Sequence, residues 1–179
     1  MELYVIRHGQ TDWNFKNKIQ GKQDTELNDI GIHQARKAKE EFNKYNFDLI
    51  ICSPLKRCKL TAEIINKDKN VEIIYDNALL ERGLGDFEGL DTDIDEDSIY
   101  NYKLNLKNNN IEPVVQLCER VFNLLNYINK NLNNKKILLV THSGTARAIE
   151  AYFYGIDKDG NLPPENLKNC EIRKYIFKN

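Results

Sequence analysis

Excess charge of one sign, paired cysteines and long apolar runs are all scarce in this sequence, and each scarcity removes a class. The 26 Lys and Arg side chains face 27 Asp and Glu, a formal charge of -1. The concentrated positive charge of a nucleic-acid-binding domain is therefore missing. A local basic pocket is still allowed, because a total says nothing about clustering. Cys52, Cys58, Cys118 and Cys170 include no C-x-x-C pair and sit in apolar or helical stretches. With no secretory leader, they read as free thiols in a reducing compartment rather than a disulfide framework. The opening MELYVIRH is charged too early for a signal peptide or a membrane span. A cytoplasmic protein is expected, monomeric or homodimeric and without a nucleic-acid or membrane partner.

What is present fits one soluble domain. The chain has 179 residues, 41% hydrophobic and 30% charged, and shows no internal repeat. Continuous apolar runs at Leu3–Ile6, Phe47–Cys52 and Lys136–Thr141 read as strands buried on both faces, with a shorter one at Val71–Tyr75. Helical spacing follows Asn28 (Ile32, Ala35, Ala38, Phe42, Tyr45) and runs from about Pro113 (Val114, Leu117, Val121, Leu124, Leu125, Ile128). A further helix is expected over Gly144–Tyr154, ended by Gly155. Ser53-Pro54 reads as a capping hydroxyl followed by proline at the first helical position, with Leu60, Ile64 and Ile65 on the buried face of that helix. Leu79 to Asp97 reads as a loop, Tyr100–Leu106 as a helix, Asn108–Asn110 as a turn, and Cys170–Phe177 as an antiparallel edge strand. Trp13 and the tyrosines read as core. Strands alternating with helices predict an α/β fold, a three-layer αβα sandwich with a mostly parallel sheet. Ligands of such sheets lie beyond the carboxyl ends of the strands.

The ends of those strands carry the chemistry. The first stops at Arg7-His8-Gly9. The second stops at Cys52-Ser53-Pro54, with Arg57 just behind, and the late one at Thr141-His142-Ser143-Gly144. Of three histidines in the chain, two end strands; His33 lies inside a helix and reads as structural or solvent-facing. Two guanidinium groups suit phosphate oxygens through forked hydrogen bonds. Backbone N–H groups at the helix starts after Ser53 and Ser143 favour the same anion. A neutral imidazole among them is a competent nucleophile toward phosphorus, and the arginines and second histidine would stabilise the charge in transfer. No carboxylate or cysteine cluster gives His8 and His142 the spacing of metal ligands. A cysteine-dependent phosphatase using Cys52 and Arg57 fails on spacing, since only Ser53 to Lys56 intervene where such loops hold five residues. Thr141 stands where a G-x-S-x-G elbow needs its first glycine, so Ser143 is read as a backbone donor only.

The stretch Val5-Ile-Arg-His-Gly-Gln-Thr-Asp-Trp-Asn14 resembles the signature of the histidine phosphatase superfamily, the phosphoglycerate mutase-like group. Further pieces agree in order: Gly21-x-x-Asp24-x-x-Leu27, Gly31-x-x-Gln34-Ala35, Ser53-Pro54-x-x-Arg57, Leu80-Glu81 with Gly85-x-x-Glu88-Gly89, and Thr141-His142-Ser143-Gly144. The resemblance implies that His8 becomes phosphohistidine and that Arg7, Arg57 and His142 form the phosphate pocket with Asn14 at its rim. It implies Gln20 and Gly21 as substrate contacts and Glu81 as proton donor, with Glu88 in the same glycine-rich loop as the competing choice. No metal or organic cofactor is implied. The superfamily's mutases carry a longer insertion, and the Gly-Glu-Ser common near the start of their late helix is here Val114-Val-Gln-Leu-Cys118. A short cap insertion at about 86–112 favours a phosphomonoesterase for small phosphorylated metabolites, sugar phosphates, phosphoglycerates and α-ribazole phosphate among them. A mutase and a phosphate-binding regulatory domain without turnover are the alternatives.

Overall fold

The computed structural model describes residues 1–91, 95–164 and 167–177. Five strands form one sheet: β1 (Glu2–Arg7), β2 (Leu49–Cys52), β3 (Ile73–Tyr75), β4 (Ile137–Thr141) and β5 (Ile172–Ile176). Their order across the sheet is β3-β2-β4-β1-β5. The first four run parallel, and β5 pairs antiparallel with β1 at the edge. This is the expected three-layer α/β architecture. The helices are α1 (Asp12–Phe15), α2 (Asp29–Phe42), α3 (Lys56–Asn66), α4 (Glu96–Ile99), α5 (Val114–Asn131) and α6 (Ser143–Tyr154).

Successive side chains of a strand point to opposite faces, and here both faces are apolar. Leu3, Val5, Leu49, Ile51, Ile137 and Leu139 pack with Val114, Leu117, Val121, Leu125 and Ile149 from α5 and α6. Tyr4, Ile6, Ile50, Cys52, Leu138 and Val140 pack with Ala38, Phe42, Cys58, Ala62 and Ile65 from α2 and α3. Two cores thus share one sheet, which is why these strands read as continuous apolar runs and not as alternating ones. All four cysteines are free, three of them buried.

Several expected details differ. Ser53 does not cap α3, which starts at Lys56 after Leu55; the Lys56 N–H donates instead to Asp24 Oδ1 at 2.7 Å. Asp24 brings a carboxylate to the helix start and takes the place the hydroxyl was expected to fill. The buried face of α3 is Arg57, Cys58, Thr61, Ala62 and Ile65, while Leu60 and Ile64 are half-buried. Tyr100–Leu106 forms turns and a β-bridge at Asn101, not a helix. The short α4 precedes it and overlaps the end of the segment expected to be loop. Residues 92–94 of the expected cap insertion lie outside the described residues. Trp13 is half-buried, and Tyr75, Tyr127 and Tyr154 are exposed. No helix among the described residues is long and apolar enough to cross a membrane.

The loop after β1 is fixed against α2. Asn28 caps α2 by accepting from the Gly31 N–H at 2.9 Å, and its amide donates to Gln10 Oε1 at 3.1 Å. Gln34 Oε1 accepts from the Gln10 N–H at 2.9 Å. This approach leaves no room for a side chain: a Cβ on Gly31 would lie 2.1 Å from the Gln10 carbonyl oxygen. Gly31→Ala is therefore expected to destabilise the fold by ~1–3 kcal/mol, the usual cost of overpacking, read as a lower urea midpoint at unchanged slope. A midpoint equal to that of the unsubstituted chain would show that the loop yields freely.

Candidate active site

Register brings three strand ends together. Arg7 stands opposite Thr141 across β1 and β4, and Cys52 opposite Val140 across β2 and β4. Beyond them lies a cavity of about 400 Å³ lined by Arg7, His8, Asn14, Gln20, Gly21, Arg57, Glu81 and Ser143, among others. Eight of the nine predicted site residues reach its wall. The ninth, His142, is fully buried and does not line it.

His8 is held from several sides. Its N–H donates to the Thr141 carbonyl at 3.0 Å, and its own carbonyl accepts from Asn169 Nδ2 at 2.9 Å. The ring Nδ1 lies 2.7 Å from the Gly9 carbonyl oxygen. A carbonyl only accepts, so Nδ1 carries the hydrogen and Nε2 keeps its lone pair. Gly9 in turn donates its N–H to Thr61 Oγ1 at 3.1 Å, and that hydroxyl donates to the Arg57 carbonyl at 2.7 Å. Thr61 and Asn169 were not predicted; neither belongs to a strand-end motif, and only the fold brings them in.

Arg57 is fully buried, yet its partners are neutral. Nη2 donates to the Gly21 carbonyl at 2.9 Å, Nη1 to the Gln23 carbonyl at 2.6 Å, and Nε to His142 Nδ1 at 3.2 Å. Accepting at Nδ1 makes His142 the Nε2–H tautomer, and that N–H donates to Ser53 Oγ at 2.7 Å. Ser53 thus orients a histidine that orients an arginine. The His8 and His142 rings meet edge to face with centroids 5.1 Å apart. Burial holds both imidazoles well below their ordinary value, helped by the Arg57 and Arg7 charges, so both are neutral. Arg7 Nη1 donates to the Leu167 carbonyl at 3.0 Å.

Glu81 lies at the N-terminus of α6. Its Oε1 accepts from the Arg82 and Thr145 N–H groups at 2.8 and 3.1 Å, and Oε2 from the Gly144 N–H at 3.1 Å. The helix start expected to face an anionic ligand therefore holds Glu81, and Ser143 is the first-turn residue on the cavity wall. The backbone behind Glu81 is fastened by Arg120 on α5, which donates to the carbonyls of Ala78, Leu80 and Glu81 and pairs with Glu112 at 2.7 Å. Burial alone would raise the Glu112 carboxyl, but Arg120, the Gly83 N–H and Lys22 outweigh it and hold it below the ordinary carboxylate value. Asn14 closes α1 in a capping box: its Oδ1 accepts from the Thr11 N–H at 3.1 Å, which turns the amide nitrogen away from Thr11. Cys52 is fully buried off the cavity, and burial pushes its thiol well up, so it is no nucleophile.

These features define the class first: an α/β chain with two arginines, a neutral histidine and a carboxylate converging at the carboxyl edge of its sheet. The sequence profile of the histidine phosphatase superfamily (branch 1) matches residues 3–179. The chain is 37% identical over 173 residues to the uncharacterized phosphatase PhoE of Bacillus subtilis, spanning 97% of this chain and 86% of the relative. It is 35% identical to the phosphoglycerate mutase-like protein 4 of Arabidopsis thaliana, spanning 83% and 69%. Among solved structures, YhfR of Bacillus stearothermophilus superposes with a TM-score of 0.86 at 25% identity over 97% of this chain and 89% of that one. A phosphoserine phosphatase from Entamoeba histolytica, solved with phosphoserine, gives 0.79 at 28% identity over 99% and 91%. The chain belongs to the histidine phosphatase superfamily.

The two neutral histidines have a consequence for stability. Below the ordinary histidine value of 6.5 the unfolded chain binds two protons that the folded chain refuses. Stability is thus full above that pH and falls as the pH drops toward the depressed folded values, by about 1.4 kcal/mol per pH unit for each histidine. Urea midpoints from pH 7.5 to 5.5 are expected to fall with a slope that His8→Gln makes shallower. Equal slopes in the two proteins would mean that His8 takes up its proton as readily in the fold as in the unfolded chain.

Proposed function

We propose that the chain is a phosphomonoesterase acting on small phosphorylated metabolites through a phosphohistidine on His8. The observation that carries this reading is the hydrogen bond from His8 Nδ1 to the Gly9 carbonyl. It leaves Nε2 with an uncharged lone pair, on a residue that lines the cavity together with Arg7 and Arg57. In the first step Nε2 attacks phosphorus while the bond from phosphorus to the leaving oxygen breaks, and Glu81 gives that oxygen a proton. In the second step water attacks phosphorus, the N–P bond breaks and Glu81 takes the proton from water. Arg7 and Arg57 offset the charge on the phosphoryl oxygens in both steps, with Asn14, Gln20, Gly21 and Ser143 at the walls and His142 holding Arg57 from beneath. The arginines supply the positive charge, so the reading needs no metal or organic cofactor.

The cavity supports a small leaving group. Its lining also includes Ile19, Leu84, Ile99 and Tyr100, together with the cations Lys18 and Arg147. That composition suits a compact ester with a second acidic group, the type that phosphoserine represents. The mutase reading shares every step but the last, where the phosphoryl group would return to a second oxygen of the substrate.

Released phosphate from p-nitrophenyl phosphate and from a panel of small esters checks the proposal. His8→Ala is expected to abolish turnover, and Glu81→Gln to lower kcat by roughly 10²–10⁴-fold. Acid-quenched protein is expected to carry an acid-labile, base-stable phosphate that His8→Ala lacks. Isomerisation of 3-phosphoglycerate outrunning phosphate release would favour the mutase, and full activity in His8→Ala would sink the mechanism.

A further inference from the structure

Glu88 belongs to the same glycine-rich loop as Glu81 and competes with it, on sequence alone, for the role of proton donor. The two carboxylates do different things. Glu88 does not line the cavity. It follows the 3₁₀ turn at Gly85–Phe87 and, like Glu81, accepts from donors on three residues. Oε1 accepts from the Leu84 N–H at 2.9 Å and the Lys22 N–H at 3.0 Å, and Oε2 from Gln23 Nε2 at 3.0 Å. Two of the three donors belong to the loop that holds Arg57.

The Lys22 N–H and the Gly21 carbonyl belong to one peptide group. That group is planar, and in its trans form the N–H and C=O point in opposite directions. On one side its oxygen accepts from Arg57 Nη2 at 2.9 Å. On the other its N–H donates to Glu88. Gln23 adds a second link through separate groups, its backbone carbonyl on Arg57 Nη1 at 2.6 Å and its side-chain amide on Glu88 Oε2. The negative charge of Glu88 and the positive charge of Arg57 therefore face each other across an amide, and hydrogen bonds in series polarise one another. Gly21 is the residue that permits this. Its φ is +50°, and a Cβ there would lie 2.0 Å from Glu88 Oε1. The Glu88 segment is anchored in turn, since Gly89 donates to the Ile19 carbonyl at 2.8 Å and Ile19 to the Leu90 carbonyl at 3.0 Å.

From this geometry we infer that Glu88 is a positioning residue of the phosphate clamp, aiming and polarising the Gly21–Lys22 peptide that holds Arg57, and that it transfers no proton. The inference rests on the reading of Arg57 as a phosphate ligand. Its test therefore uses binding of inorganic phosphate, followed by calorimetry, together with turnover.

Glu88→Ala is expected to weaken phosphate binding by about tenfold, the loss of a charge-assisted hydrogen bond. Glu88→Gln keeps an oxygen for the Lys22 and Leu84 N–H groups, and the Gln23 amide can turn to accept from it, so binding should weaken by only about threefold. Gln also keeps kcat within about threefold, which a proton donor could not do. In an Arg57→Ala background, Glu88→Ala is expected to add nothing, because the group it aims is gone. Unchanged phosphate affinity in folded Glu88→Ala would overturn the inference. So would an equal loss in the Arg57→Ala background, or a Glu88→Gln protein that binds phosphate normally but has lost turnover. Should Glu88→Ala fail to fold, the Gln variant in both backgrounds decides by the same criteria. An unsubstituted protein that binds no phosphate would instead fail the functional reading itself, and the clamp with it.

Discussion

A fully buried guanidinium whose nearest partners are all neutral is the constraint around which this molecule is arranged. Moving a cation out of water is costly unless hydrogen bonds and charge compensate it. Arg57 receives two carbonyls and an imidazole, and among the described residues no ion pair is made with it. Each of those acceptors needs its own support. Asp24 fixes the start of the helix on which Arg57 sits, Ser53 holds the His142 ring, and Glu88 accepts from the N–H of the peptide whose carbonyl meets Arg57. The result is a cation with its geometry set in advance. Preorganisation of this kind is what makes charge stabilisation effective when a reaction develops new negative charge.

A second scaffold serves the carboxylate. Arg120 on α5 fastens the backbone of residues 78–81, and Glu112 ties Arg120 to the Gly83 N–H. Arg82 donates to the carbonyls of Glu112 and Ile99, and its guanidinium lies 5.0 Å from the Tyr100 ring centroid. Tyr100 also carries Arg147 at 4.0 Å on its ring, and both residues line the cavity. These arginines act on the site through carbonyls and rings, which is why their importance cannot be read from charge alone.

The sequence carried much of this. Apolar runs located the principal strands and helical spacing the long helices, because burial on both faces of a sheet leaves little choice of side chain. The strand-end rule then collected Arg7, His8, Arg57 and His142 without any knowledge of distances. What stayed hidden depends on backbone groups. Asp24 as the cap of α3 and Glu88 behind Arg57 act on N–H groups, and no residue-type pattern names a peptide plane. Tyr100–Leu106 misled for a related reason. Its spacing suits a helix, but Asn101 bridges to Asn161 and accepts from Lys103 and Leu104, so side-chain hydrogen bonds hold turns in place of a helical ladder.

The place of β1 in the sheet bears on how the chain is made. Its two neighbours, β4 and β5, both come from the last quarter of the sequence. The strand carrying Arg7 is therefore synthesised well before the strands that flank it. Through most of synthesis the Leu3–Ile6 segment has no partner on either edge, and such non-local pairing slows folding and leaves apolar strand exposed. Asn169, which holds the His8 carbonyl, arrives between β4 and β5. His8 is thus translated long before the groups that hold it in place.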